Sequence, residues 1–118
     1  MPPLPTQTAP LHFTVSRRLI DYELGRAMGL YRETVLIPLH NKQTEAWKGM
    51  RVRSIAPGDV LYRAGLRDGD ILISANGRAI VDPHAAFSSW LPLRNAPEIR
   101  LDIRRQGQNR TLIYTLTN

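Results

Sequence analysis

The side chains able to do chemistry in this chain are few and scattered. None of the three histidines, His12, His40 and His84, has a glutamate or a second histidine three or four residues away, so no pair shares one helical face to hold a metal ion. Cysteine is absent, which removes a disulfide framework, a thiolate metal site and a cysteine nucleophile. No serine lies in a G-x-S-x-G elbow, and Ser88 and Ser89 fall in a stretch of helical spacing with no neighbouring base. Asp68-Gly69-Asp70 lacks the further oxygen ligands of a calcium loop, including its final glutamate, and reads as a tight turn. This inventory predicts no enzyme, no cofactor and no metal. What remains is the chemistry of the backbone. Residues Thr34 to Leu39 (TVLIPL) are apolar and β-branched, and Pro38, having no N–H for a central ladder, puts the run at a sheet edge or on a bulge.

An edge needs a sheet to belong to, and the run from residue 64 to 77 (AGLRDGDILISANG) supplies the clearest sign of one. Gly65 ends a short helical turn opened by Pro57-Gly58, Asp68-Gly69-Asp70 and Asn76-Gly77 are turns, and Ile71 to Ser74 alternate between them as a strand. Upstream, Met50, Val52 and Ile55 mark another strand, with Arg51 and Arg53 on its opposite face. A helix begins at Thr14 or Ser16, either able to cap it, and runs through Leu24 before Gly25 and Gly29 weaken its end. A second helix starts at the Asp82-Pro83 cap, sets Ala86, Phe87, Trp90 and Leu91 on one stripe, and stops near Leu91 because of Pro92. Glu98–Arg104 and Arg110–Leu116 alternate as a hairpin around Gly107. Four of the first ten residues are proline, so 1–12 read as a flexible linker and 13–118 as one domain.

Composition narrows the function classes. At 42% apolar and 22% charged residues the chain is globular, and no run approaches the length of a membrane span. Sixteen basic residues against ten acidic ones give a net charge of +6, and fourteen of the sixteen are arginine. Those arginines are spread from Arg17 to Arg110 with acids interleaved, in no run longer than two, and no RNP-like aromatic strand accompanies them. A basic soluble surface is predicted rather than a nucleic-acid site.

The signature at 64–77, with GMRVRSIAPGDVLYRAGL before it and a helix and two strands after it, resembles a PDZ domain over residues 49–116. The order of elements is similar to the circularly permuted bacterial arrangement, in which the last strand fills the place of the first strand of animal PDZ domains. That likeness implies an α+β fold, a small, partly open β-barrel or sandwich capped by helices. Within the group, VSRRLIDYEL, VLIPLHN and RSIAPGDVLYRAGLRDGDILISANGRAI resemble the C-terminal periplasmic PDZ domain of type II secretion system protein C. The segment NKQTEAWK is longer and less glycine-rich than that family's hairpin.

The resemblance implies a non-enzymatic interaction module of the secretion system's inner-membrane platform, in the periplasm and tethered through an anchor absent from this chain. Its partner would be a protein or peptide segment, an exoprotein or another secretion component, with no nucleic acid. The alternative is the substrate-recognition PDZ domain of a periplasmic HtrA-like or membrane protease, from which the opening Ser16-Arg17-Arg18-Leu19-Ile20 separates it. In the implied groove, a peptide adds to the 34–39 edge opposite the Pro83–Leu91 helix. The groove residues are then Leu30, Tyr31, Thr34, Val35, Leu36 and Ile37, with His84, Ser88 and Leu91 on the helix, while Phe87 and Trp90 go to the core. Gly29-Leu30-Tyr31-Arg32 reads either as a carboxylate-binding loop or as the end of the first helix. His84 reads either as a reader of serine or threonine hydroxyls or as a solvated side chain, and Trp47 either as an interface anchor or as packing within its own domain.

Overall fold

The computed structural model of the chain describes residues 3–28, 35–40, 47–80, 88 and 90–118, with the backbone alone at 24–28, 35, 36, 38, 40, 47 and 48. Its elements are β1 (Thr6–Ala9), β2 (His12–Ser16), α1 (Arg17–Met28), β3 (Val35–His40), β4 (Trp47–Arg53), α2 (Val60–Arg63), β5 (Ile71–Ala75), β6 (Arg78–Ala79), β7 (Glu98–Arg105) and β8 (Gln108–Thr117). The strands form one open sheet in the order β1-β2-β8-β7-β5-β4-β3, with β6 paired to β5. Every pairing is antiparallel except that of β2 with β8, which runs parallel from His12↔Ile113 to Ser16↔Thr117.

The alternation along each strand decides which face packs. Met50 and Val52 are fully buried, Phe13 and Val15 nearly so, and Leu112, Tyr114 and Leu116 bury the matching face of β8. Phe13 stacks on Tyr114 at 5.6 Å between ring centroids. The phenol of Tyr114 donates to the Ala64 carbonyl at 2.5 Å, and its burial pushes its pKa well above the usual tyrosine range, so it stays a neutral donor.

The signature folds as the spacing predicts, and Asp70 explains why it holds. This carboxylate is 1% exposed and accepts a bidentate pair of hydrogen bonds from Arg105 at 2.7 and 2.8 Å, plus the Arg67 amide at 2.8 Å. Arg105 also donates to the Gly65 carbonyl at 2.8 Å, tying the end of α2, the turn and the end of β7 together. Gly65 has φ +90°, and a Cβ there would run into the Phe13 ring, so both backbone and space call for glycine.

Two features differ from the sequence reading. Thr6–Ala9 pairs with β2, and residue 12 also lies in the sheet, although both fall in the stretch read as linker. The side chains of β1 are mostly exposed, so its pairing rests on main-chain hydrogen bonds and leaves no apolar period to read. Of the two caps the sequence offers for the first helix, Ser16 is the one used, accepting the Arg18 amide at 3.2 Å, because Phe13 and Val15 commit the residues around Thr14 to a strand, and the helix starts at Arg17 as that cap implies. Near the other helix end, helical conformation continues through residue 93 rather than ending near Leu91. Pro92 removes one helical donor there, but its fixed φ is compatible with a last turn.

Candidate functional site

The sheet ends on β3, which pairs with β4 from Val35↔Arg53 to His40↔Trp47, with a register shift between Leu39 and His40. Among the described residues nothing pairs with its other side. Gly49, at the shift, has φ +126°, and a Cβ there would strike the Leu72 carbonyl, so this glycine lets β4 lie close against β5 while β3 stays outermost. Ile37 is 40% exposed on this strand. The edge thus presents main-chain donors and acceptors beside a partly exposed apolar side chain.

The helical residues 88 and 90–93 are fastened at their C-terminal end. Trp90 is 3% exposed, and its indole N–H donates to Asp21 on α1 at 2.6 Å. Arg94 grips the same carboxylate with both ends of its guanidinium, at 2.7 to 3.1 Å. The hydrogen bond from Arg94 holds Asp21 below the usual carboxylate range, against a smaller upward push from burial. Arg17 adds bonds to the Arg94 and Ala96 carbonyls at 2.5 and 3.0 Å. Leu91, 57% exposed, and Ser88, also exposed, turn away from that anchor.

A cavity of about 220 Å³ lies between α1, α2, Trp90 and the sheet, away from β3, lined by Val15, Leu19, Leu61, Leu72, Trp90 and Leu101 among others, with Glu23 and Tyr114 in its wall. Its lining is otherwise apolar, so it suits hydrocarbon rather than water. Among the described residues no three His, Asp or Glu gather to hold a metal, and no helix is long and apolar enough to cross a membrane.

Of the residues singled out from sequence, Val35, Leu36 and Ile37 share the terminal strand, and Trp90 is in the core. Leu30, Tyr31, Thr34 and His84 lie outside the described residues, as do Gly29, Arg32 and Phe87 and the side chain of Trp47. The sequence reading missed the Asp21–Trp90–Arg94 cluster and the cavity. The one available signal was Asp21 itself, an acid among the apolar residues of α1.

No family model matches the chain. The PDZ domain of EpsC from Vibrio cholerae superposes with a TM-score of 0.51 at 21% identity, covering 83% of this chain and 95% of that one. The fold is that of a PDZ domain. The PDZ domain of the pullulanase C protein of the type II secretion system from Klebsiella pneumoniae, solved in complex with fatty acid, matches at a TM-score of 0.50 and 25% identity over 70% of this chain and 84% of that one. In sequence, the PDZ domain resembles type II secretion system protein C of Pectobacterium carotovorum subsp. carotovorum, 30% identical over 74 residues, which are 63% of this chain. The match spans 26% of that relative's length. Similarity to the protein C PDZ domain therefore appears in both sequence and structure.

Proposed function

We propose that this PDZ domain is a non-enzymatic, periplasmic interaction module of the type II secretion inner-membrane platform, and that it takes an extended segment of an exoprotein or another secretion component as an added strand along β3. The observation that carries this reading is the position of β3 at the end of the sheet, with its outer side unpaired among the described residues. The likeness to type II secretion protein C supports the setting. In this reading the groove takes Leu30 and Tyr31 from the loop before the edge, Thr34, Val35, Leu36 and Ile37 from the edge itself, and His84, Ser88 and Leu91 from the helix, as the sequence suggests. Ile37 and Leu91 are two of the four large apolar residues left exposed among those described, which fits a surface awaiting a partner.

A second reading is favoured by the cavity, whose apolar walls suit an acyl chain, and the Klebsiella relative was solved with a fatty acid. One amide chemical-shift titration separates the readings, using a pool of peptides with apolar ends, the same pool amidated, and palmitic acid. Shifts at Leu36 and Ile37 with both peptide pools establish strand addition by internal segments. Dependence on the free carboxylate turns the assignment toward terminal-peptide recognition, as in a protease-associated domain. Shifts confined to Leu19, Leu61 and Trp90 with palmitate support the acyl reading, and no response of β3 to either peptide pool removes strand addition.

A further inference from the structure

The hydrogen bonds of β4 determine which groups of β3 face outward. The Val52 amide donates to the Asp70 carbonyl at 2.9 Å, and the Val52 carbonyl accepts from the Gly69 amide at 2.7 Å, so both main-chain groups of Val52 turn toward β5 and away from β3. Direction alternates along a strand, and Met50, two residues earlier, likewise pairs toward Leu72 of β5. The β3 residues opposite them are Leu36, facing Val52, and Pro38, facing Met50. These two are therefore the non-hydrogen-bonded pairs of the β3–β4 ladder, and their own main-chain groups point outward. Val35, Ile37 and Leu39 face Arg53, Arg51 and Gly49 and pair inward. The outer edge offers both the N–H and the C=O of Leu36, but only the C=O of Pro38, because proline has no N–H.

We propose that Pro38 sets the register and length of the segment this edge accepts. The proposal rests on the strand-addition reading above. An antiparallel segment closes a two-bond ring with Leu36 and gives one further N–H to the Pro38 carbonyl, and the reciprocal bond that would carry the pairing on past Pro38 is missing. The ligand is thus a short extended protein segment. The residue opposite Leu36 is not proline, and the residue opposite Pro38, two positions nearer the segment's N-terminus, keeps its carbonyl in water. The same missing donor keeps the edge from pairing along its length with a second copy of the sheet, the usual hazard of an apolar edge strand.

The test uses a peptide selected from a phage-displayed random library on the whole chain, with affinity followed by fluorescence polarisation. Pro38→Ala supplies the missing donor and should tighten binding roughly two- to tenfold, the effect of one added hydrogen bond. An ester scan of the peptide identifies the bond involved. At one position the ester, a poorer acceptor than an amide, should leave wild-type affinity unchanged and abolish the Pro38→Ala gain. Unchanged affinity in Pro38→Ala, or a gain that survives every ester, overturns the role of Pro38. Leu36→Pro tests the parent reading separately: it removes the outward N–H and leaves the inward ladder, and wild-type affinity in that folded variant, or failure to select any peptide, overturns strand addition and this inference with it.

Discussion

Arg105→Met should be among the most damaging single substitutions in the chain, even though Arg105 is itself partly exposed. The variant keeps the side chain's bulk and removes both donors that reach Asp70, at 2.7 and 2.8 Å. Asp70 is 1% exposed, so water cannot take their place, and the carboxylate is left with the donor of the Arg67 amide. The Gly65 carbonyl loses a donor too. Breaking a buried, hydrogen-bonded ion pair from one side costs about 3–5 kcal/mol, because the stranded charge must stay desolvated. For a domain of this size that corresponds to a fall in Tm of roughly 12–20 °C. Urea denaturation followed by circular dichroism gives the direct measure, with a lower midpoint and an unchanged slope. A double variant, Asp70→Leu with Arg105→Met, should lose less than the sum of the two single losses, since it removes the stranded charge. A single-variant loss below about 1 kcal/mol would refute the reasoning, because that is the scale of an exposed pair.

Gly65→Ala combines an unfavourable positive φ with a clash on the Phe13 ring and should cost about 2 kcal/mol or more by the same denaturation assay, whereas a neutral result would mean the turn relaxes freely. Asp21→Asn should change the acid limb of stability. The folded-state pKa of Asp21 is depressed below its ordinary 3.8 chiefly by Arg94, so its contribution is present above that value and lost as pH falls through the lower folded one. The variant should be less stable than wild type at neutral pH and converge with it in strong acid, and parallel curves down to pH 2 would count against the cluster.

What could be read from the sequence was what acts locally. The turns at Asp68-Gly69-Asp70 and Asn76-Gly77 announce themselves through residues suited to positive φ, and Met50 with Val52 through a period of two. The β7–β8 hairpin is legible for the same reason, with Gln106 and Gly107 at positive φ between its strands. The features that escaped depend on distant partners. Asp70 looks like any turn aspartate until Arg105 is brought to it, and Trp90 meets Asp21 across 69 residues of chain. Thr6–Ala9 carries no apolar pattern because its pairing is made by the backbone. Of the candidate groove, the edge character of β3 was legible through Pro38, but the direction of each main-chain group required the hydrogen bonds of Val52.

The parallel pairing of β2 with β8 has a consequence for how the chain reaches this structure. The Thr117 hydroxyl and the Val15 carbonyl it meets are 102 residues apart, so β2, which pairs locally with β1, acquires its partner on the other side only when β8 has been made. Hairpins such as β7–β8 close small loops and form early, while the β2–β8 pairing must await closure across that long separation. Until β8 is made, Phe13 and Val15 therefore lack the strand that carries Tyr114 and Leu116, and remain a short adhesive stretch. Folding of this domain should be slow relative to helical domains of equal length, and the N-terminal strand is the part most in need of a chaperone's protection while it waits.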